Sequence, residues 1–212
     1  MIHDTTVIYG KVEVHADALV GPFCVLGFRD DGVSGAADDR IIIGRGVTLS
    51  PYCSVGTGTA LGVGVWCDHH TYIGSKTVIE EEAQLLYSVR VYDRVRIGRG
   101  AWVAGFVCND SKIGAKAICM GRLIHRFVNA VEGVPERAPV VEDGAFVGMG
   151  STVIGPVVVG AGAYIASGSV LTHSAKPGRL YRGIPARECG PAPPPWALAS
   201  KAESDALKET IL

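Results

Sequence analysis

The chain has 212 residues, a formal net charge of −1, 48% hydrophobic but only 7% aromatic residues, and 28 glycines. A near-neutral charge argues against a nucleic-acid binder that relies on phosphate neutralisation. No apolar run approaches the ~20 residues of a membrane span and no basic start precedes an apolar core, so a soluble, cytoplasmic protein is expected.

From the N-terminus an aliphatic residue recurs at every sixth position, often followed by Gly. The first run falls at Ile8, Val14, Val20 and Leu26, and a polar stretch rich in Asp and Gly then predicts a surface loop over 28–40. The long run places an aliphatic residue or Cys at Ile43, Leu49, Val55, Leu61, Cys67, Ile73, Ile79, Leu85, Val91, Ile97 and Val103. A small or β-branched companion follows each by four positions, from Val47 to Val107, and after Val107 the beat slips and resumes at Ile113 and Cys119. A second loop is predicted over 124–139, and the final run falls at Val141, Val147, Val153, Val159, Ile165 and Leu171. Pro191 to Pro195 ends the pattern, and the Ala, Leu, Lys and Glu of 196–212 predict a short terminal helix.

A helix needs apolar spacing near 3.6 and a half-buried strand alternates, so a sustained period of six with Gly at turns reads as a solenoid of short parallel strands. One solenoid domain over 1–190 is expected, with a Pro-rich linker and helix over 191–212. Cys24, Cys53, Cys67 and Cys119 sit where other rungs carry small apolar residues, so they read as core, and no spacing suggests a disulfide framework or zinc knuckle.

The pattern from Ile8 to Arg187 resembles the hexapeptide-repeat acyltransferases, including the xenobiotic, galactoside or maltose and sugar acetyltransferases. Three stretches sharpen the likeness. His125-Arg126 opens the second loop, where that family carries a catalytic His. Pro139 to Gly148 is similar to its re-entry rung, with an aromatic at Phe146. Gly183-Ile184-Pro185-Ala186-Arg187 looks like its closing Gly-x-Pro-Ala-Arg, preceded by Gly168 to Thr172. The resemblance implies an all-β, left-handed parallel β-helix with three strands per coil, about seven to eight coils and roughly 35 Å of stacked rungs. It also implies a homotrimer with active sites between subunits, acetyl-coenzyme A as acyl donor and no metal.

Acyl transfer from a thioester needs a base for the attacking proton and donors for the oxyanion, and a His with pKa near ~6.5 suits the first role. His125 is the expected base. Gly148, Ala166, Ser167 and Thr172 would line the cofactor groove, with Lys176, Arg182 and Arg187 near its phosphates. Asn109, Asp110, Arg126, Tyr87, His69 and His70 are the expected acceptor contacts, with Tyr87 stacking above His69. The acceptor would be a sugar, amino sugar or antibiotic-like small molecule. Two other readings stand beside this one: a zinc hydratase like the γ-class carbonic anhydrases, which would need three converging His, and a non-catalytic solenoid platform.

Overall fold

Strands mostly of two or three residues alternate with tight turns along the computed structural model, which describes residues 1–28, 39–126 and 137–193. In each strand one side chain points in and its neighbour points out, so a six-residue unit supplies one aliphatic to the core and turns the corner with the rest. Face 1 holds nine strands from Val7–Ile8 to Val170–Leu171, and face 2 holds eight from Val12–Val14 to Val158–Val159. Face 3 starts at Leu19–Val20, runs to Tyr164–Ile165 and finishes in a hairpin of Arg179–Gly183 and Ala186–Pro191.

The chain visits the three faces in turn, so three strands make one coil. Coils are numbered here by their face 1 strand, and coils 3, 4 and 5 begin at Ser54, Tyr72 and Arg90, which are stacked register partners. The coils form a left-handed parallel β-helix, as expected. The proposed terminal helix over 196–212 and the interiors of both loops lie outside the described residues.

Inside the prism Ile43, Leu49, Val55, Leu61, Cys67, Ile73, Ile79 and Leu85 are buried, each with an aliphatic or thiol neighbour one coil away. Burying one such Leu or Ile contributes about 1.5–3 kcal/mol. The hydroxyls of Thr59 and Thr77 are buried too, and they donate to the Gly74 and Tyr92 carbonyls at 2.9 and 3.0 Å, so no desolvation penalty is left standing. Burial pushes the Cys119 thiol up to about 12 and raises that of Cys67, so both stay protonated and behave as core. At the C-terminal end Tyr181 takes the inward place above Ile165, and its hydroxyl accepts the Lys176 backbone N–H at 3.1 Å.

The slip in the beat falls earlier than the sequence suggested. Val107 is not a companion of Val103: it is the inward residue of its own strand and pairs with Val91. A second slip puts Leu123, paired with Val107, four residues after Cys119. Both were hidden because a beat and its companion are also four residues apart. Each slip removes two residues from the turn between faces 3 and 1, entering coils 6 and 7. Glycine permits this. A Cβ on Gly105 (φ +92°) would lie 2.6 Å from the Gly121 carbonyl oxygen, and one on Gly121 would lie 2.6 Å from that of Ser151.

Candidate active site

The corner between faces 1 and 2 carries the root of the second loop. His125 follows the Arg122–Ile124 strand, whose backbone is fixed on both sides: Cys108 N–H donates to Leu123 O at 3.0 Å, and Gly155 N–H to Ile124 O at 2.8 Å. The imidazole is half-buried, its Nδ1 shielded from water, and Arg126 beside it is exposed. One coil below lie Asn109 and Asp110, and one coil further down Asp93 and Arg94. Asn109 Oδ1 accepts the Asp93 N–H at 3.1 Å. Asp110 takes two bonds from the Arg94 guanidinium, at 2.7 and 2.9 Å, and the pair raises the Arg94 pKa. Both expected acceptor contacts therefore also tie one turn to the next.

The corner between faces 3 and 1 carries a different set. Asp68 Oδ1 lies 2.6 Å from His69 Nδ1 and accepts the His69 N–H at 2.7 Å, which holds the Asp68 carboxyl below its usual range. His70 stacks on Tyr52 (4.9 Å, 6°), Tyr52 stacks on Phe23 (5.2 Å, 14°), and Tyr87 meets His70 edge-on at 6.0 Å. Phe23, Tyr52 and His70 share a left-handed backbone (φ 57–64°), so their side chains leave successive turns in the same direction and the rings align. Tyr87 does stack its backbone near His69, since Ser88 N–H donates to His69 O at 3.0 Å, but its ring packs on His70. The expected contacts did not include Asp68, and Tyr52 and Phe23 were not foreseen. The signal for Tyr52 was available, because it lies one 18-residue coil before His70.

Gly148, Ala166 and Ser167 belong to this same corner, higher up. Gly148 is buried under the next turn, where a Cβ would come within 2.5 Å of Ser167 N. Thr172 lies on the corner between faces 1 and 2, with Oγ1 3.0 Å from His173 Nδ1. The three expected phosphate cations sit at the C-terminal end. Lys176 is held by Glu188 at 3.1 Å, and Arg179 takes the other oxygen of that carboxylate at 2.7 Å. Lys176 first, then Arg179, depresses the Glu188 pKa. Arg182 and Arg187 are exposed partners across the hairpin.

The expected site therefore divides among two corners and one end. A six-residue side of the prism spans roughly 15–20 Å at ~3.3 Å per residue, farther than any side chain reaches. Within one copy, His125 does not meet His69, His70 or Tyr87. Among the described residues, no three His, Cys, Asp or Glu side chains converge as a metal site.

The bacterial transferase hexapeptide family (six repeats) matches residues 138–173. Over these residues the chain carries the hexapeptide repeat. It is 30% identical over 201 residues to the bifunctional protein GlmU of Rubrobacter xylanophilus, covering 89% of this chain and 41% of that protein. It is 28% identical over 195 residues to GlmU of Stenotrophomonas maltophilia, covering 82% and 38%. The chain thus spans about two fifths of the length of these hexapeptide-repeat relatives. Among solved structures, UDP-N-acetylglucosamine O-acyltransferase (LpxA) of Moraxella catarrhalis superposes with a TM-score of 0.63 at 17% identity, over 99% of this chain and 82% of that one. That likeness establishes the shared fold.

Proposed function

We propose that this hexapeptide-repeat chain is a coenzyme A-dependent O- or N-acyltransferase, working as a C3 homotrimer on a sugar, amino sugar or antibiotic-like small molecule. The observation that carries the reading is the division of the site between the two corners that bound face 1. His125 is on one, and the glycine-containing turns of Gly148 and Ser167, exposed at Met149, Gly150 and Ser167, are on the other. A threefold axis parallel to the solenoid, with face 1 turned inward, brings these corners together from neighbouring copies at the same height. Face 1 suits that burial, with rings of Tyr72, Tyr92 and Phe106 packed at 5.6 and 4.9 Å along it. The corner between faces 2 and 3 instead carries Glu80, Glu81, Arg99, Glu142 and Asp143, and it suits solvent.

In this scheme His125 takes the proton from the acceptor hydroxyl or amine as its oxygen or nitrogen attacks the thioester carbonyl. Backbone N–H groups of the glycine-rich turns stabilise the oxyanion. The new C–O or C–N bond forms, the C–S bond breaks, and the imidazolium returns the proton to the departing thiolate. Acetyl is the expected acyl group. Asn109, Asp110 and Arg126 stand beside the base, while His69, His70 and Tyr87 of the adjoining copy sit lower on the facing corner, on the turns entering coils 4 and 5. Arg182 and Arg187 are the cations left to meet the cofactor's phosphates. A sugar acceptor is supported by the relative that acts on UDP-N-acetylglucosamine, and the cytoplasm is where such a donor is available. Among the described residues no helix is long and apolar enough to cross a membrane.

The test is release of free coenzyme A from acetyl-coenzyme A across a panel of nucleotide-linked and free amino sugars, with sedimentation of the same sample. Turnover by a trimer is expected. A monomer with no thiol release for any acceptor would overturn the reading.

A further inference from the structure

At the corner between faces 3 and 1, most turns hold four residues, as in Leu86-Tyr87-Ser88-Val89 and Gly148-Met149-Gly150-Ser151. The turns entering coils 6 and 7 hold only Ala104-Gly105 and Met120-Gly121. Backbone bonds show which residues are missing. Leu86 N–H donates to Val103 O and Arg90 N–H to Gly105 O, so Ala104 and Gly105 stand in the first and last places of the turn. Met120 N–H donates to Val147 O and Arg122 N–H to Ser151 O, which puts Met120 and Gly121 in the same two places. The outermost pair is absent from two consecutive turns. The corner is therefore notched.

Its floor is Ala104-Gly105 and Met120-Gly121. Tyr87, 63% exposed, stands at the lower edge and Met149, 71% exposed, at the upper. These edges are three rungs apart, roughly 14 Å at ~4.8 Å per rung. The floor itself carries no charged group, and the exposed Arg90 and Arg122 flank it on the face 1 side. The notch also lies directly below Gly148 and Ser167 on one continuous corner. His125 occupies the level between the Gly121 and Met149 turns, and Asn109 the level between the Gly105 and Gly121 turns. The departures from the beat on these two corners thus coincide in height, although they lie across face 1 from each other.

We infer that this notch is the seat for the acyl end of the thioester, with Met149 at its entrance and Tyr87 closing its far end. The inference rests on the acyltransferase reading above, and it adds the acyl-binding site and its length limit. A narrow apolar slot suits an uncharged acyl chain and excludes a hydroxylated sugar, whose polar groups would lose water without gaining partners. With the carbonyl held near Gly121, the space down to Tyr87 admits a chain longer than acetyl.

The experiment restores the missing pair by inserting Ser-Gly between Met120 and Gly121. Four-residue turns are the norm at this corner, so the insertion keeps the fold, which sedimentation and the thermal transition would verify. Calorimetry with coenzyme A and turnover with acetyl- and butyryl-coenzyme A are then compared with the unaltered chain. Coenzyme A, which lacks an acyl group, should bind within about threefold of its original affinity. Turnover should fall on the order of 10²-fold, because the carbonyl is displaced from the base. Tyr87→Ala, which needs no insertion, should shift preference toward butyryl. An insertion variant that turns over both thioesters undiminished, with Tyr87→Ala leaving the preference unchanged, would remove the notch alone. Absence of coenzyme A binding by the unaltered chain would instead remove the enzymatic reading, and the seat with it.

Discussion

Coils 3 to 5 and coils 6 and 7 are made of the same rungs and differ in what they do with the corners. In coils 3 to 5 every turn keeps its four-residue or equivalent length, side chains repeat at 18 residues, the Tyr52 and His70 rings stack, and Tyr87 meets His70 edge-on. In coils 6 and 7 two turns lose residues and one gains a loop beginning at His125. The inward Val103, Val107, Cys119 and Leu123 remain buried through both changes. A solenoid is held together by nearest-neighbour contacts between inward side chains. Its corners can therefore be shortened or extended without cost to the core, and that freedom is where a site can be built.

The sharpest way to separate the two regions is His125→Ala. Turnover should drop by about 10²–10⁴-fold, the range for a lost general base, while the thermal transition stays put. An unchanged rate at saturating acceptor would take His125 out of the chemistry. The opposite result is expected from Leu85→Ala in coil 4. It should cost about 2–5 kcal/mol in denaturant melts, because the cavity sits between rigid rungs, and leave the rate per folded molecule intact. A loss of less than about 0.5 kcal/mol would mean that the regular coils are not the stabilising half.

Smaller effects sharpen the comparison at its edges. Glu188 has a depressed folded pKa, so its contribution to stability is present above the ordinary carboxylate value of roughly 4 and is lost as pH falls through the folded pKa. Glu188→Gln should remove that acid-side slope and release Lys176 and Arg179, tightening coenzyme A measured by calorimetry. Weaker cofactor binding would show that the triad positions the hairpin instead. Smallest of all, Asp110→Asn at the exposed Arg94 pair should cost no more than about 1 kcal/mol and less in high salt. A larger loss in salt-dependent melts would make that pair a structural clamp.

Much of this was legible in advance. The beat at Ile43 to Val103 identified the inward residues, because in a two-residue strand only one side chain can face the axis. The Cys positions read correctly as core for the same reason. The corners did not read as well. Asp68 was not among the expected site residues, yet its carboxylate lies against the His69 ring. Lys176 looked like a free cation until Glu188, twelve residues on, was found to hold it. Such contacts depend on which turns lie side by side, and spacing alone does not state that.

The sequence by itself determined that the chain forms stacked short strands, which residues fill them and where the large loops leave, since a period of six imposes one inward aliphatic per rung. Only the tertiary structure decided which corner each turn occupies. Every beat advances the chain by one corner, and two beats, Val107 and Leu123, were concealed by turns that are two residues short. Counting without them places His125 on the wrong edge of the prism, because position along a solenoid is fixed by the number of rungs passed and not by the number of residues.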